Sequence, residues 1–223
     1  MLVWILPTLR LQKKSEKEID PARKREAFYH EVLELQDTFT ALEECRMPTI
    51  AAIQGGCIGG AIDMAAACDM RYCSENAFFK IAEVDIGIAA DVGTLQRLPS
   101  LIPLAVLREL AYTGRKCDSA EAKSLGLVNE VYTSVDNMIE EVQKLAQTIA
   151  SKSPLVTRVI KKQINYARDN SVRDSLEYHA MWNASLISHK DTKTALTAFI
   201  NKSEGEFDDL EELKSFWEKE GLI

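Results

Sequence analysis

The sequence predicts an α/β fold that gives way to an all-helical C-terminal region, and three observations lead there. A short apolar run at 49–53 opens a glycine-rich loop, "QGGCIGG" at 54–60, which feeds a helix of small residues, "AIDMAAAC". Two further strand-like runs follow, "MRYC" at 70–73 and "FFKI" at 78–81. Beyond residue 134, apolar residues recur at helical spacing behind Ser caps.

Taken in order, residues 15–26 are dense in charge, and a helical period then sets in at Asp20-Pro21. Phe28, Val32, Leu35, Phe39 and Leu42 form its apolar stripe, Pro21 suits its first turn, and Pro48 stops it. Strand, glycine loop, helix and two strands follow as above. Residues 92–98 and 101–113 are expected to be helical, and "LVNEVY" at 127–132 to be the last strand. Ser134 caps a helix that turns Val135, Met138, Val142, Leu145 and Ile149 to one side. Ser153-Pro154 opens a helix through Arg168, on which Arg158, Lys161 and Lys162 read as a solvated face. Ser171 and Asp174 start another, expected to carry Val172, Leu176, Ala180, Ala184 and Ile187 inward. A last helix is expected near 191–202, and the acidic stretch from Glu204 is expected to fold against a neighbour.

Composition bounds the function. The 223 residues fit one large domain or a domain with an appendage, with 46% apolar and 27% charged residues. A net charge of −7 argues against general nucleic-acid affinity, and no apolar run approaches the roughly 20 residues of a membrane span. Five scattered cysteines without a C-x-x-C pair point to free thiols in a reducing compartment. The N-terminal "MLVWILPTLRLQKK" does not read as a secretory signal, and the final "EGLI" is not a peroxisomal S-K-L.

Two constellations can carry chemistry. The loop containing Gly55, Gly56, Gly59 and Gly60 delivers backbone N–H groups to a helix N-terminus, where an anion or a developing oxyanion is stabilised. It equally suits a tight strand-to-helix turn, and it matches neither a phosphate loop nor G-x-G-x-x-G. The second constellation is a set of carboxylates in an otherwise interior-like run. Asp63 lies in the first turn of the small-residue helix, where it serves either as an N-terminal charge or as a reacting group. Glu83 opens a turn after a strand, Asp85 reads as a turn residue, and Asp91 stands where it could cap the next helix. His30, His179 and His189 have no metal-ligand spacing, no G-x-S-x-G elbow is present, and Cys57 reads as a packed thiol. Asp69 and Arg71 read as structural.

The segments "IAAIQGGCIGGAIDMAAACDMRY" and "AEVDIGIAADVGTLQRLP" resemble the crotonase (enoyl-CoA hydratase/isomerase) superfamily. Within it, Asp63 together with "AADVGTLQRLP" resembles the Δ3,5-Δ2,4-dienoyl-CoA isomerase branch. The resemblance runs from about residue 21 to about 202. It implies an α/β, crotonase-like spiral of ββα units over 21–153 and C-terminal helices over 154–223 that build homo-trimers or hexamers, behind an atypical segment at 1–20. It also implies an acyl-CoA thioester substrate, no separate cofactor or metal, and a mitochondrial or peroxisomal setting. Gly60 maps onto a backbone oxyanion donor, and Asp63, Glu83 and Asp91 onto three active-site carboxylates. The implied chemistry moves a proton from C2 to C6 of a dienoyl chain, with Asp91 as base, Glu83 as acid and Asp63 tuning the pair.

The family's second oxyanion donor, in a loop reading roughly S-G-I-D-L, has no counterpart upstream of the first helix, so the chain is expected to be an N-terminally truncated member. The alternatives are a non-catalytic crotonase-fold acyl-CoA binder or assembly subunit and, among enzymes, an enoyl-CoA hydratase. Asp91 is unexpected for a hydratase.

Overall fold

The Asp20 carboxylate accepts hydrogen bonds from the N–H groups of Ala22 and Arg23, and Pro21 occupies the first turn, so α1 (Pro21–Glu44) starts where the sequence places it. The computed structural model describes residues 20–213; the segments before Asp20 and beyond Leu213 lie outside the described residues. Of the predicted α1 stripe, Phe39 is buried while Phe28, near the other end, is exposed.

After α1, strands and helices repeat in a ββα order. β1 (Ile50–Ile53), β2 (Gly56–Ile58) and α2 (Gly60–Ala67) form one turn; β3 (Met70–Ser74) and β4 (Phe78–Lys80) begin the next. Equivalent strands of successive turns pair, β1 with β3 and β2 with β4, both parallel. Parallel pairing needs a crossover, and α2 supplies it. β3 also pairs with β6 (Glu130–Tyr132), and β4 pairs antiparallel with β5 (Cys117–Asp118), giving two three-stranded sheets among the described residues. Ile62, Ala65 and Ala66 of α2 pack with Phe79, Ile81, Leu98, Ile102, Leu107 and Leu110 in the core of this layer. The run of alanines permits the close helix-to-sheet approach.

Asp69 and Arg71 are structural, as read. Asp69 accepts from the N–H and hydroxyl of Thr49 at 2.6 and 2.9 Å, tying the start of β1 to the start of β3. The buried Arg71 guanidinium donates to the carbonyls of Leu127, Ala65 and Cys68, satisfying the end of α2.

Several boundaries differ from expectation. The glycine stretch 54–60 is not all loop, because β4 offers Gly56–Ile58 a backbone partner and pairing does not require β-branched side chains. Residues 92–98 shorten to α3 (Thr94–Arg97) followed by a 3-10 turn at Leu98–Ser100, since Gly93 at φ +138° cannot lie in a helix. The next helix, α4 (Leu104–Thr113), starts at the Pro103 cap rather than at 101. The last strand is confined to 130–132; the Leu127 carbonyl is taken by Arg71 instead of a ladder. β5 and α5 (Ser119–Leu125) were not foreseen.

The chain divides into two compact units at Gln143/Lys144, inside α6 (Val135–Ala150), whose predicted stripe centres on the buried Met138. In the second unit, α7 (Pro154–Asp169) is capped by Ser153, and the Ser153 hydroxyl meets the Asp191 carboxylate of α9 (His189–Asn201). Tyr166 of α7 stacks on Tyr178 of α8 (Val172–Leu186) at 3.9 Å between ring centroids. The α8 stripe expected to face inward does not: Val172, Leu176 and Ile187 are exposed, because the aromatic face carrying Tyr178 is the one that meets α7. On α7, Lys161 is buried rather than solvated, and Lys162 lies over the Trp182 ring.

Candidate active site

Gly59 sets the geometry of the glycine loop. Its φ of +56° with ψ of −126° is a conformation that side chains oppose, and its N–H donates to the Lys80 carbonyl at 3.1 Å. The chain thereby turns from β2 directly into α2. Gly60 is the first residue of that helix, so its N–H has no acceptor within the helix and lies at the positive end of the dipole. A carbonyl oxygen gaining negative charge is stabilised at such a position.

Asp63, in the first turn of α2, is 0% exposed. Its Oδ1 accepts two hydrogen bonds from Thr94, from the N–H at 2.5 Å and from the hydroxyl at 2.7 Å. Its Oδ2 is buried without a partner. Burial raises its pKa, and the Asp91 charge adds to this; the two Thr94 hydrogen bonds and the Arg97 charge work against it.

Glu83 begins a 3-10 turn at Glu83–Ile86. Its carboxylate lies against the glycine loop, for a Cβ placed on Gly59 would sit 3.0 Å from Glu83 Oε1. Its Oε2 is buried and unpartnered. Burial first, then the charges of Asp63 and Asp91, push its pKa upward, against hydrogen bonds from the backbone of Glu83 and Ala82. Asp85, two residues on, faces away to an ion pair with Lys80 at 2.7 Å and is the turn residue the sequence suggests.

Asp91 is exposed, and its charge acts on both other carboxylates. It does not cap α3. That work falls to Asp63, whose Oδ1 takes the first N–H of α3 from 31 residues away. The Asp91 carbonyl is instead gripped by Gln36 Nε2 of α1 at 2.6 Å. Arg97 completes the tie between α1 and the 91–94 segment. It donates to Glu43 at 2.8 Å and to Thr40 at 3.1 Å, and its Nη1 lies where a Gly93 Cβ would be, 1.8 Å away.

The structure thus gathers Gly60, Asp63, Glu83 and Asp91 into one region of the first unit. Val84, Ile86 and Ile88, between Glu83 and Asp91, expose apolar side chains beside them. Cys57 is a packed thiol pushed up to about 12, by burial first and then by the Asp63 charge. No cluster able to hold a metal ion exists among the described residues, and His30 pairs with Glu26 on α1. Sequence reasoning missed Gln36, Thr94 and Arg97; their partners lie too far along the chain for any local pattern to show them. Chemically, the arrangement offers an oxyanion donor beside carboxyl groups whose pKa values are raised towards the range useful for proton transfer.

Residues 17–210 match the Enoyl-CoA hydratase/isomerase family. The chain is 44% identical over 188 residues to the peroxisomal Delta(3,5)-Delta(2,4)-dienoyl-CoA isomerase of Arabidopsis thaliana, covering 84% of this chain and 68% of that one. It is 46% identical over 170 residues to the mitochondrial Delta(3,5)-Delta(2,4)-dienoyl-CoA isomerase of Rattus norvegicus, covering 76% of this chain and 52% of the relative, so it spans about half the length of that protein. Among solved structures, an enoyl-CoA hydratase from Bacillus anthracis superposes with a TM-score of 0.76 at 31% identity, over 85% of this chain and 72% of that one. The paired ββα turns, the glycine entry to α2 and these matches agree: the chain belongs to the enoyl-CoA hydratase/isomerase family.

Proposed function

We propose that the chain isomerises 3,5-dienoyl-CoA thioesters to 2,4-dienoyl-CoA in fatty-acid β-oxidation. One observation carries this reading: three carboxylates share a region, the charge of Asp91 acting on Asp63 and both acting on Glu83, beside a helix N-terminus suited to an oxyanion. The two relatives described above, named as isomerases of that kind, support the choice of reaction.

In this mechanism the thioester oxygen accepts from the Gly60 N–H. Asp91, the exposed member, removes the C2 proton as a carboxylate. Negative charge spreads through the dienolate onto the thioester oxygen. Glu83, whose pKa burial and the neighbouring carboxylates raise, delivers a proton at C6. Asp63 raises the Glu83 pKa further by its charge and orients the site. The exposed apolar side chains of Ile86 and Ile88 suit an acyl chain extended between acid and base. The reaction needs no separate cofactor, since CoA is part of the substrate. The exposed apolar residues of α8 and α9 suit a homo-oligomer of trimeric type, and a mitochondrial or peroxisomal location follows the relatives' names.

The test follows the growth of 2,4-dienoyl absorbance with purified protein and a 3,5-dienoyl-CoA, beside Asp91→Asn. Turnover in the parent that falls roughly a hundredfold to ten-thousandfold in the variant supports the reading. A folded parent without turnover overturns it, and retained acyl-CoA binding would then identify a binding protein.

A further inference from the structure

We propose that Thr94 is a positioning residue for the carboxylate cluster, holding one oxygen of Asp63 with two hydrogen bonds so that only the other oxygen can carry a proton. The role rests on the isomerase reading for its consequence in catalysis, but its geometry stands independently of it.

Asp63 Oδ1 receives the Thr94 N–H at 2.5 Å and the Thr94 hydroxyl at 2.7 Å, which uses both lone-pair directions of that oxygen. Oδ2 is buried and receives nothing. Turning the carboxyl away from Thr94 would break both bonds in a dry site, so the orientation is held. Thr94 can give its N–H because it opens α3, where that donor has no acceptor within the helix. It is itself 1% exposed, and its helix is anchored by Arg97 through Glu43 and Thr40 of α1.

The proton that Asp63 takes up therefore goes to Oδ2. Besides burial and Thr94, two charged groups act on this titration, Arg97 of α3, itself paired with Glu43 of α1, and Asp91 of the preceding loop; the Asp63 charge in turn acts on Cys57 of β2 and on Glu83 of the 3-10 turn. Both Thr94 bonds favour the charged carboxylate and oppose the effect of burial. Removing the hydroxyl must raise the Asp63 midpoint, and with it alter how the cluster shares protons with Glu83.

Nuclear magnetic resonance of the full chain tests this without reference to activity. The Thr94 amide resonance is expected to titrate with the Asp63 carboxyl, and Asp63→Asn is expected to abolish that titration. In Thr94→Val the Asp63 midpoint moves to higher pH, and in Thr94→Ser it stays with the parent. Isomerase assays on the same proteins should show kcat reduced about tenfold or more in Thr94→Val, with KM unchanged, a displaced pH–rate profile, and recovery in Thr94→Ser. A Thr94 amide indifferent to Asp63 overturns the proposal, and this parental measurement decides the matter even where Thr94→Val fails to fold. A folded Thr94→Val with the parental midpoint overturns it equally. A parent that shows the linked titration without turnover sinks the isomerase reading and leaves the Thr94 assignment standing.

Discussion

The carboxylate cluster and the C-terminal helices depart from ordinary partitioning in opposite directions. The first unit puts Asp63 at 0% exposure and leaves a Glu83 oxygen buried without a partner. The second leaves Leu176 at 67%, Phe199 at 83% and Ile200 at 75% exposed. Each arrangement is unfavourable for a chain in water by itself. What relieves it differs in kind. A buried carboxyl is relieved by a proton or by a polar group brought to its open oxygen; an exposed apolar face is relieved by another apolar surface. The first region holds charge where water is scarce, and the second holds apolar side chains where water is plentiful.

The largest effect expected from this contrast is at Gly59. A side chain there opposes both the local backbone conformation and the Glu83 carboxylate, 3.0 Å from the added Cβ. Gly59→Ala should therefore lower kcat by about a hundredfold to a thousandfold, the scale of a lost oxyanion donor, while circular dichroism shows the fold retained. Parental turnover in a folded Gly59→Ala would break the link between loop and site. The next effect separates the two regions by stability. Leu98, 2% exposed in the first core, should cost about 2–5 kcal/mol on truncation to Ala. Phe199→Ala should cost within about 0.5 kcal/mol in a monomer. Denaturation at two protein concentrations sharpens the comparison: a concentration-dependent midpoint, reduced by Phe199→Ala, means that the face is covered by another copy.

How much of this was legible in the sequence depends on the reach of each signal. The α1 start at Asp20-Pro21, the Ser153-Pro154 and Ser171 caps and the α6 stripe are local patterns, and the structure keeps them. The unforeseen α5 also had a local signal, Asp118 capping with Glu121 behind it and Gly126 closing at φ +81°. The strand β2 had none, since Gly56-Cys57-Ile58 becomes a strand only because β4 pairs with it. The same holds in the site. The motif pointed to Asp63, Glu83 and Asp91, but local reasoning gave Asp91 the cap of α3 that Asp63 provides across 31 residues. The α8 stripe was misplaced for a related reason: periodicity identifies an apolar face but not what meets it.

The smallest effect concerns the cost of the buried carboxyl itself, and its sign follows from proton linkage. Burial raises the Asp63 pKa above its unfolded value, so between those two values the folded chain holds more protons than the unfolded chain. This contribution to stability is fully present below the unfolded pKa and is lost as pH rises through the folded one. Asp63→Asn removes the titration while keeping an oxygen for Thr94 to donate to. The variant should melt above the parent by about 2 °C or more at about pH 8, an amount near 1 kcal/mol for a chain of this size. The gap should narrow as pH falls towards about 4, where the parental carboxyl is increasingly protonated. Melting curves across pH provide the measurement. A variant that melts below the parent at every pH would mean that the cluster stabilises the first unit, and the contrast between a costly site and a costly surface would be lost. A gap that opens with pH would instead show the fold giving up stability at Asp63 to keep a protonatable group in a dry place.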